Sequence, residues 1–153
     1  MHFTQDMREL IEAFEKHEVL YVLVGGYAVN FHGYVRSTQD IDFLVMPSKE
    51  NAQNLMKALS DFGFGGAGIP QEYFEREGTA VHLGVEPNRI DLLTTLQGVS
   101  NATIFDNIER VEFGGILLNM IAYDDLLAAK RQSQRPRDLA DADELEKSHR
   151  DRW

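Results

Sequence analysis

Two aspartates stand two residues apart in the segment "TQDIDFLV", at Asp40 and Asp42. On a β-strand such a pair projects from one face, while Ile41 and Phe43 point the other way into a core. Adjacent carboxylates repel each other, so without a cation one of them takes up a proton or the strand loses stability. A divalent ion removes the conflict, and Mg²⁺ prefers carboxylate oxygens combined with phosphate oxygens and water. Two such ions roughly 3.5–4 Å apart are the device for in-line phosphoryl or nucleotidyl transfer. "RIDLL" supplies a third acid, Asp91, alone in an apolar strand whose Ile90 and Leu92 face opposite to it.

Upstream, Gly25 and Gly26 follow the apolar run "VLYVLV" and precede "YAVNFHG". Glycines at a strand-to-helix turn allow close backbone approach, and a helix start offers free N–H groups to an anion. If the two strands are neighbours, a phosphate held there lies beside Asp40 and Asp42. Arg36 and Thr38 lie between the glycines and the aspartates, within reach of the same phosphates.

The elements that must position these residues follow from pattern. Residues 4–17 read as an amphipathic helix capped by Thr4 or Asp6, with Met7, Leu10, Ile11 and Phe14 on one face. "VLYVLV" and "DIDFLV" are strands, with a short helix closed by Gly33 between them. Ser48 caps a helix through "KENAQNLMKALSDF", whose stripe is Ala52, Leu55, Met56 and Leu59, and Gly63 occupies its C-cap. "TAVHLGV" and "RIDLLTTL" form a hairpin around "EPN", and "RVEF" and "ILLNMI" form another around Gly114 and Gly115. "AYDDLLAAKRQ" and "PRDLADADELEK" are closing helices over about 123–147, with Pro136 near the start of the second. Strands and helices mix without strict alternation, so the class is α+β (mixed α/β).

The chain has 153 residues, one domain by length, with 43 % hydrophobic and 26 % charged residues. Cysteine is absent, which rules out disulfides and thiolate metal sites and makes a cytoplasmic location the expectation. No apolar run approaches the roughly 20 residues of a membrane span, and the charged N-terminus lacks a signal-peptide pattern. The net charge of −10, from 25 acidic and 15 basic residues, disfavours a dedicated nucleic-acid binder.

Several residues carry two readings. Arg36 is equally a nucleotide contact and a structural salt bridge. Lys130, Arg131, Arg135 and Arg137 form the dense basic cluster, able to meet a triphosphate or to pair with Asp138, Asp141 and Asp143. His32 is read as structural. The loop "GFGGAG" lacks the Gly-Lys-Ser/Thr ending of a P-loop and follows a helix, so it is read as a mobile loop. Phe62, Phe64, Tyr73 and Phe74 are read as core in preference to the floor of a base pocket.

"GGYAVNFHGYVRSTQDIDFLV" resembles the opening motif of the polymerase-beta-like nucleotidyltransferase superfamily: a glycine followed by glycine or serine, a helix, then Asp-x-Asp on a strand. "NRIDLLTTL" fits the third acid. The form with "HG", "R-x-T" and "DID" is nearest a branch of short bacterial and archaeal proteins related to lincosamide-modifying enzymes and abortive-infection toxins, and the likeness spans nearly the whole chain. The resemblance implies a mixed twisted sheet with helices on one face and the active site on the other. It implies that Asp40 and Asp42 hold Mg²⁺ or Mn²⁺, that Asp91 holds the catalytic ion and helps deprotonate the attacking hydroxyl, and that Gly25 and Gly26 take the β- and γ-phosphates of an NTP. Asp125 and Lys130 fit an Asp-x-x-x-x-Lys motif of the toxin branch, which favours Lys130 as a triphosphate contact. Position 26 departs from the frequent serine, so a side-chain hydroxyl is missing there. Relatives usually add a helical domain for the acceptor, so a partner chain or homodimer is expected to complete the acceptor site. The acceptor is a small hydroxylated molecule, a protein side chain or a tRNA end. The rival readings are a nucleotide-binding or interaction module of a two-protein system, and a structural domain with solvated acids.

Overall fold

The run Tyr21–Val24 becomes β1, and all four of its residues are buried. A strand without polar alternation is covered on both faces, as this one is near the middle of a six-stranded sheet ordered β3-β4-β2-β1-β6-β5. The computed structural model describes residues 2–63, 68–84 and 89–151. Around β1 stand β2 (Ile41–Val45), β3 (Ala80–Leu83), β4 (Ile90–Leu93), β5 (Glu109–Phe113) and β6 (Ile116–Met120). β1 runs antiparallel to β2 and parallel to β6, β2 runs parallel to β4, and the hairpins β3–β4 and β5–β6 close the two edges. The sheet is mixed, as expected.

One face carries Tyr21 and Phe43, and α1 (Gln5–Lys16) lies on it. The Phe14 ring meets Tyr21 at 5.0 Å and Phe43 at 5.2 Å between centroids. Thr4 caps α1 by accepting from the Met7 N–H, and the residues of the expected apolar stripe are all buried. Beside it packs α3 (Lys49–Phe62), capped by Ser48 and ended by Gly63 at φ +101°, where a side chain would be strained. The amide of Asn51 pins α3 to the sheet through both backbone groups of Leu20 and the Met46 carbonyl.

α2 (Gly25–Phe31) begins directly at the glycine pair. α5 (Tyr123–Ser133) and α6 (Pro136–Asp151) pack against each other, with Pro136 the first residue of α6. Two short elements escaped the pattern: a 3₁₀ turn at Gln71–Phe74 and α4 (Asn101–Asp106), capped by Ser100. Both are shorter than the window over which helical periodicity becomes readable. The tip "EPN" of the first hairpin, most of the loop "GFGGAG" and Phe64 lie outside the described residues.

Candidate active site

Strand register assembles the acids. Val24 pairs with Asp42, Asp42 with Asp91, and Asp91 with His82, so one row crosses four strands on one face of the sheet. The next row outward holds Asp40 and Arg89, extended by the Ile41 N–H donating to the Arg89 carbonyl at 3.1 Å. Asp40 and Asp42 on one strand therefore stand beside Arg89 and Asp91 on the next.

The contacts follow that grid. Arg89 Nη2 lies 3.1 Å from Asp40 Oδ2, and its Nε lies 3.0 Å from Asp91 Oδ1. The His82 ring donates from Nδ1 to Asp91 Oδ1 at 2.6 Å. Asp42 is left with a carboxylate neighbour: burial, then its hydrogen bond to Asp91, then the Asp91 and Asp40 charges push it up to about 7. Below that pH Asp42 carries a proton to set against Asp91, which is how acids this close coexist without a metal ion.

The glycine turn touches this row. Gly25 has φ +69°, and a Cβ on it would stand 2.1 Å from Asp42 Oδ2. A Cβ on Gly26 would stand 2.6 Å from the Thr38 hydroxyl, with Arg36 Nη1 at 3.5 Å. The Thr38 hydroxyl thus fills the space that a serine at position 26 would need. Asn30 holds the connecting loop in place: its amide donates to the Gly26 and Arg36 carbonyls and accepts from the Arg36 N–H.

Opposite the acids stands a basic wall. Arg36 makes a two-pronged pair with Asp141, at 2.8 and 2.9 Å. Lys130 reaches Asp138 at 3.0 Å and Asp141 at 3.1 Å. Asp141 is 1 % exposed, so both cations are anchored on a buried carboxylate. Asp138 is pulled below the usual carboxylate range: burial alone would raise it, but hydrogen bonds from Ser133 and Lys130 outweigh that. Within the basic cluster, Arg131 pairs with Asp143 and Glu146, and Arg135 with Asp138. Arg36 and Lys130 are each salt-bridged, and each still lines the cleft.

That cleft, of about 770 Å³, is lined by Gly25, Gly26, Arg36, Thr38, Asp40, Asp42, Asp91 and Lys130, every candidate residue of the sequence. Leu93, Leu96, Leu126 and Ala129 give it an apolar stretch. Phe62, Tyr73 and Phe74 do not line it. Phe74 is core, and His32 is structural, its Nε2 lying 2.7 Å from the Ile121 carbonyl oxygen. The sequence reading missed Arg89, His82 and Asn30, and it named Asp141 only as a partner of the basic cluster, not of Arg36. Arg89 carried a signal, since it alternates with Asp91 as Asp40 does with Asp42. His82 was findable from the hairpin register; the pairing of Asp141 with Arg36, 105 residues away, had no local signal.

Among the described residues, no group of three or more His, Asp and Glu side chains stands ready as a metal cage. The donors nevertheless fit a hard cation. Asp40 Oδ1 is buried without a hydrogen-bond partner, and Asp42 and Asp91 share a proton that a divalent ion would replace.

Over residues 1–148 the chain matches the family described as "Nucleotidyltransferase of unknown function (DUF6036)", and it belongs to that family. No curated protein matches it. Among solved structures it resembles the lincosamide antibiotic adenylyltransferase LnuA in its lincomycin-bound crystal structure, with a TM-score of 0.57 and 16 % identity. That match covers 95 % of this chain and 97 % of the other, which confirms the nucleotidyltransferase fold. Among the described residues, no helix is long and apolar enough to cross a membrane.

Proposed function

We propose that this nucleotidyltransferase moves a nucleoside monophosphate from an NTP to an acceptor hydroxyl and releases pyrophosphate, in the cytoplasm. The observation that carries the reading is the single cleft in which a glycine turn, three carboxylates and an anchored lysine face one another. The backbone N–H groups of the first turn of α2 bind phosphate oxygens, helped by the Thr38 hydroxyl. Lys130 and Arg36 flank the triphosphate and favour the charge that builds on the departing pyrophosphate. Asp91, held by His82, accepts the proton of the attacking hydroxyl as its oxygen bonds to the α-phosphorus and the bond to the β-phosphate oxygen breaks. Asp40, Asp42 and Asp91 would hold Mg²⁺ or Mn²⁺, which when bound neutralises the triphosphate and the acids together. The rest of the rate comes from positioning.

The lincomycin in the LnuA structure supports a small hydroxylated acceptor, and that protein's adenylyl transfer supports ATP as the donor. The apolar stretch from Leu93 to Ala129 suits the base or an apolar part of the acceptor. The resemblance to abortive-infection toxins supports a toxin–antitoxin or defence role, which predicts growth arrest on expression that is lost with Asp42→Asn. Arg89 lying across two of the acids favours one second reading, a nucleotide-binding module without turnover.

The test is incubation with each of four α-phosphate-labelled NTPs, Mg²⁺ or Mn²⁺, and cell extract, followed by RNase or protease. Label transferred by the wild type and not by Asp40→Asn/Asp42→Asn supports the enzyme, and the treatment that releases it names the acceptor class. Tight NTP binding without transfer supports the module.

A further inference from the structure

The acid wall contains its own cation. Arg89 reaches Asp40 at 3.1 Å and Asp91 at 3.0 Å, bridging the two acids that flank Asp42 across neighbouring strands. A second contact, from its Nη2 to Asp91 Oδ2, measures 3.2 Å. The guanidinium thus lies between carboxylates of different strands, the same acids that would hold a divalent ion. Its side chain is 34 % exposed and lines the cleft, whereas that of Asp91 is 8 % exposed. The acid is the more buried of the two, and the arginine stands at the cleft. Asp91 also has a second holder, His82, which keeps the carboxylate in place when the arginine leaves.

We propose that Arg89 is a built-in counter-cation of Asp40 and Asp91 that a divalent metal ion must displace, so that this side chain sets how much metal the site requires. The inference rests on the metal-dependent reading of the cleft above. Two effects compete. Arg89 holds the acids in order, which favours a metal, and it places a positive charge beside the incoming one, which opposes it. Charge opposition wins, because strand pairing and His82 already order the acids and the opposing charge sits within about 3 Å of the ligating oxygens, where Coulomb energies are large. The released arginine would then face the cleft, available to the phosphates of the nucleotide.

The experiment titrates Mn²⁺ alone into the intact chain, without nucleotide, and reads bound metal by electron paramagnetic resonance and thermal melting. The proteins are the wild type, Arg89→Gln, Arg89→Lys and Asp42→Asn. Arg89→Gln is expected to bind Mn²⁺ about tenfold more tightly than the wild type. It melts lower without metal and rises further on adding it. Arg89→Lys keeps the charge and stays near the wild type, which separates charge from shape if the glutamine variant folds poorly. Equal or weaker Mn²⁺ binding by Arg89→Gln overturns the proposal, and if that variant does not fold, Arg89→Lys binding tenfold more tightly overturns it. Mn²⁺ binding by none of the proteins overturns both this proposal and the metal-dependent reading. Tighter binding by Arg89→Gln in a protein that transfers no nucleotide supports this proposal while the transferase reading fails.

Discussion

The two walls of the cleft carry opposite charge and differ in how that charge is balanced. The basic wall is closed: Arg36 and Lys130 meet Asp141 and Asp138 in short, mostly buried pairs. The acid wall is open: Asp40 and Asp91 share one arginine, and Asp42, set against Asp91, is pushed up to about 7. A closed network supports a framework, while an open one has capacity left for a ligand. The difference supports the proposal that the sheet face does the chemistry while α5 and α6 position.

Four experiments sharpen or break that contrast, the largest effect first. Replacing Asp42 by Asn should lower nucleotide transfer at least about a thousandfold, with an unchanged far-ultraviolet circular dichroism spectrum. Transfer within tenfold of the wild type would remove the acid wall from the chemistry. Replacing Asp141 by Ala should destabilise the protein by roughly 3–5 kcal/mol in urea unfolding, because two cations lose a buried partner. A loss below about 1 kcal/mol would mean that the basic wall is not the closed network described.

The third experiment concerns pH. Asp42 is raised from the ordinary carboxylate range to about 7 in the folded protein, so the folded state retains a proton that the unfolded state has released. Metal-free wild type therefore loses stability as pH climbs from about 4 to about 7, and the loss is complete above that. Asp42→Asn has no such proton, and its amide still donates to Asp91. At pH 8 without metal the variant should be more stable by on the order of 2–4 kcal/mol, with the difference vanishing near pH 4. Parallel stability curves for the two proteins would refute the shared proton. Fourth, Gly25→Ala should cost about 1–3 kcal/mol through its left-handed backbone and its clash with Asp42, seen as a lower melting temperature.

The acid wall was legible in the sequence because its information is local. Asp40 and Asp42 alternate on one strand, and Asp91 stands out against Ile90 and Leu92. Only the β2–β4 register was needed to join them, and parallel pairing supplied it. The basic wall was half legible. The cluster around Lys130 was visible, but Arg36 and Asp141 are 105 residues apart, and no periodicity links them. Arg89 was overlooked for another reason. A charged residue at the mouth of a strand reads as solvated until the neighbouring strand shows it an acid. Helices α1 and α3 were readable to within a residue or so, because their caps and stripes are strong; α4 and the 3₁₀ turn are too short to show a period.

The most direct measurement is pyrophosphate release from each NTP by the purified protein with Mg²⁺ or Mn²⁺, in the presence of cell extract cleared of pyrophosphatase. The wild type should release pyrophosphate from at least one nucleotide in step with label transfer, and Asp42→Asn should release none above the extract alone. Equal release by the two proteins, or nucleotide bound tightly by the wild type and never cleaved, would contradict the assignment of the acid wall to nucleotidyl transfer.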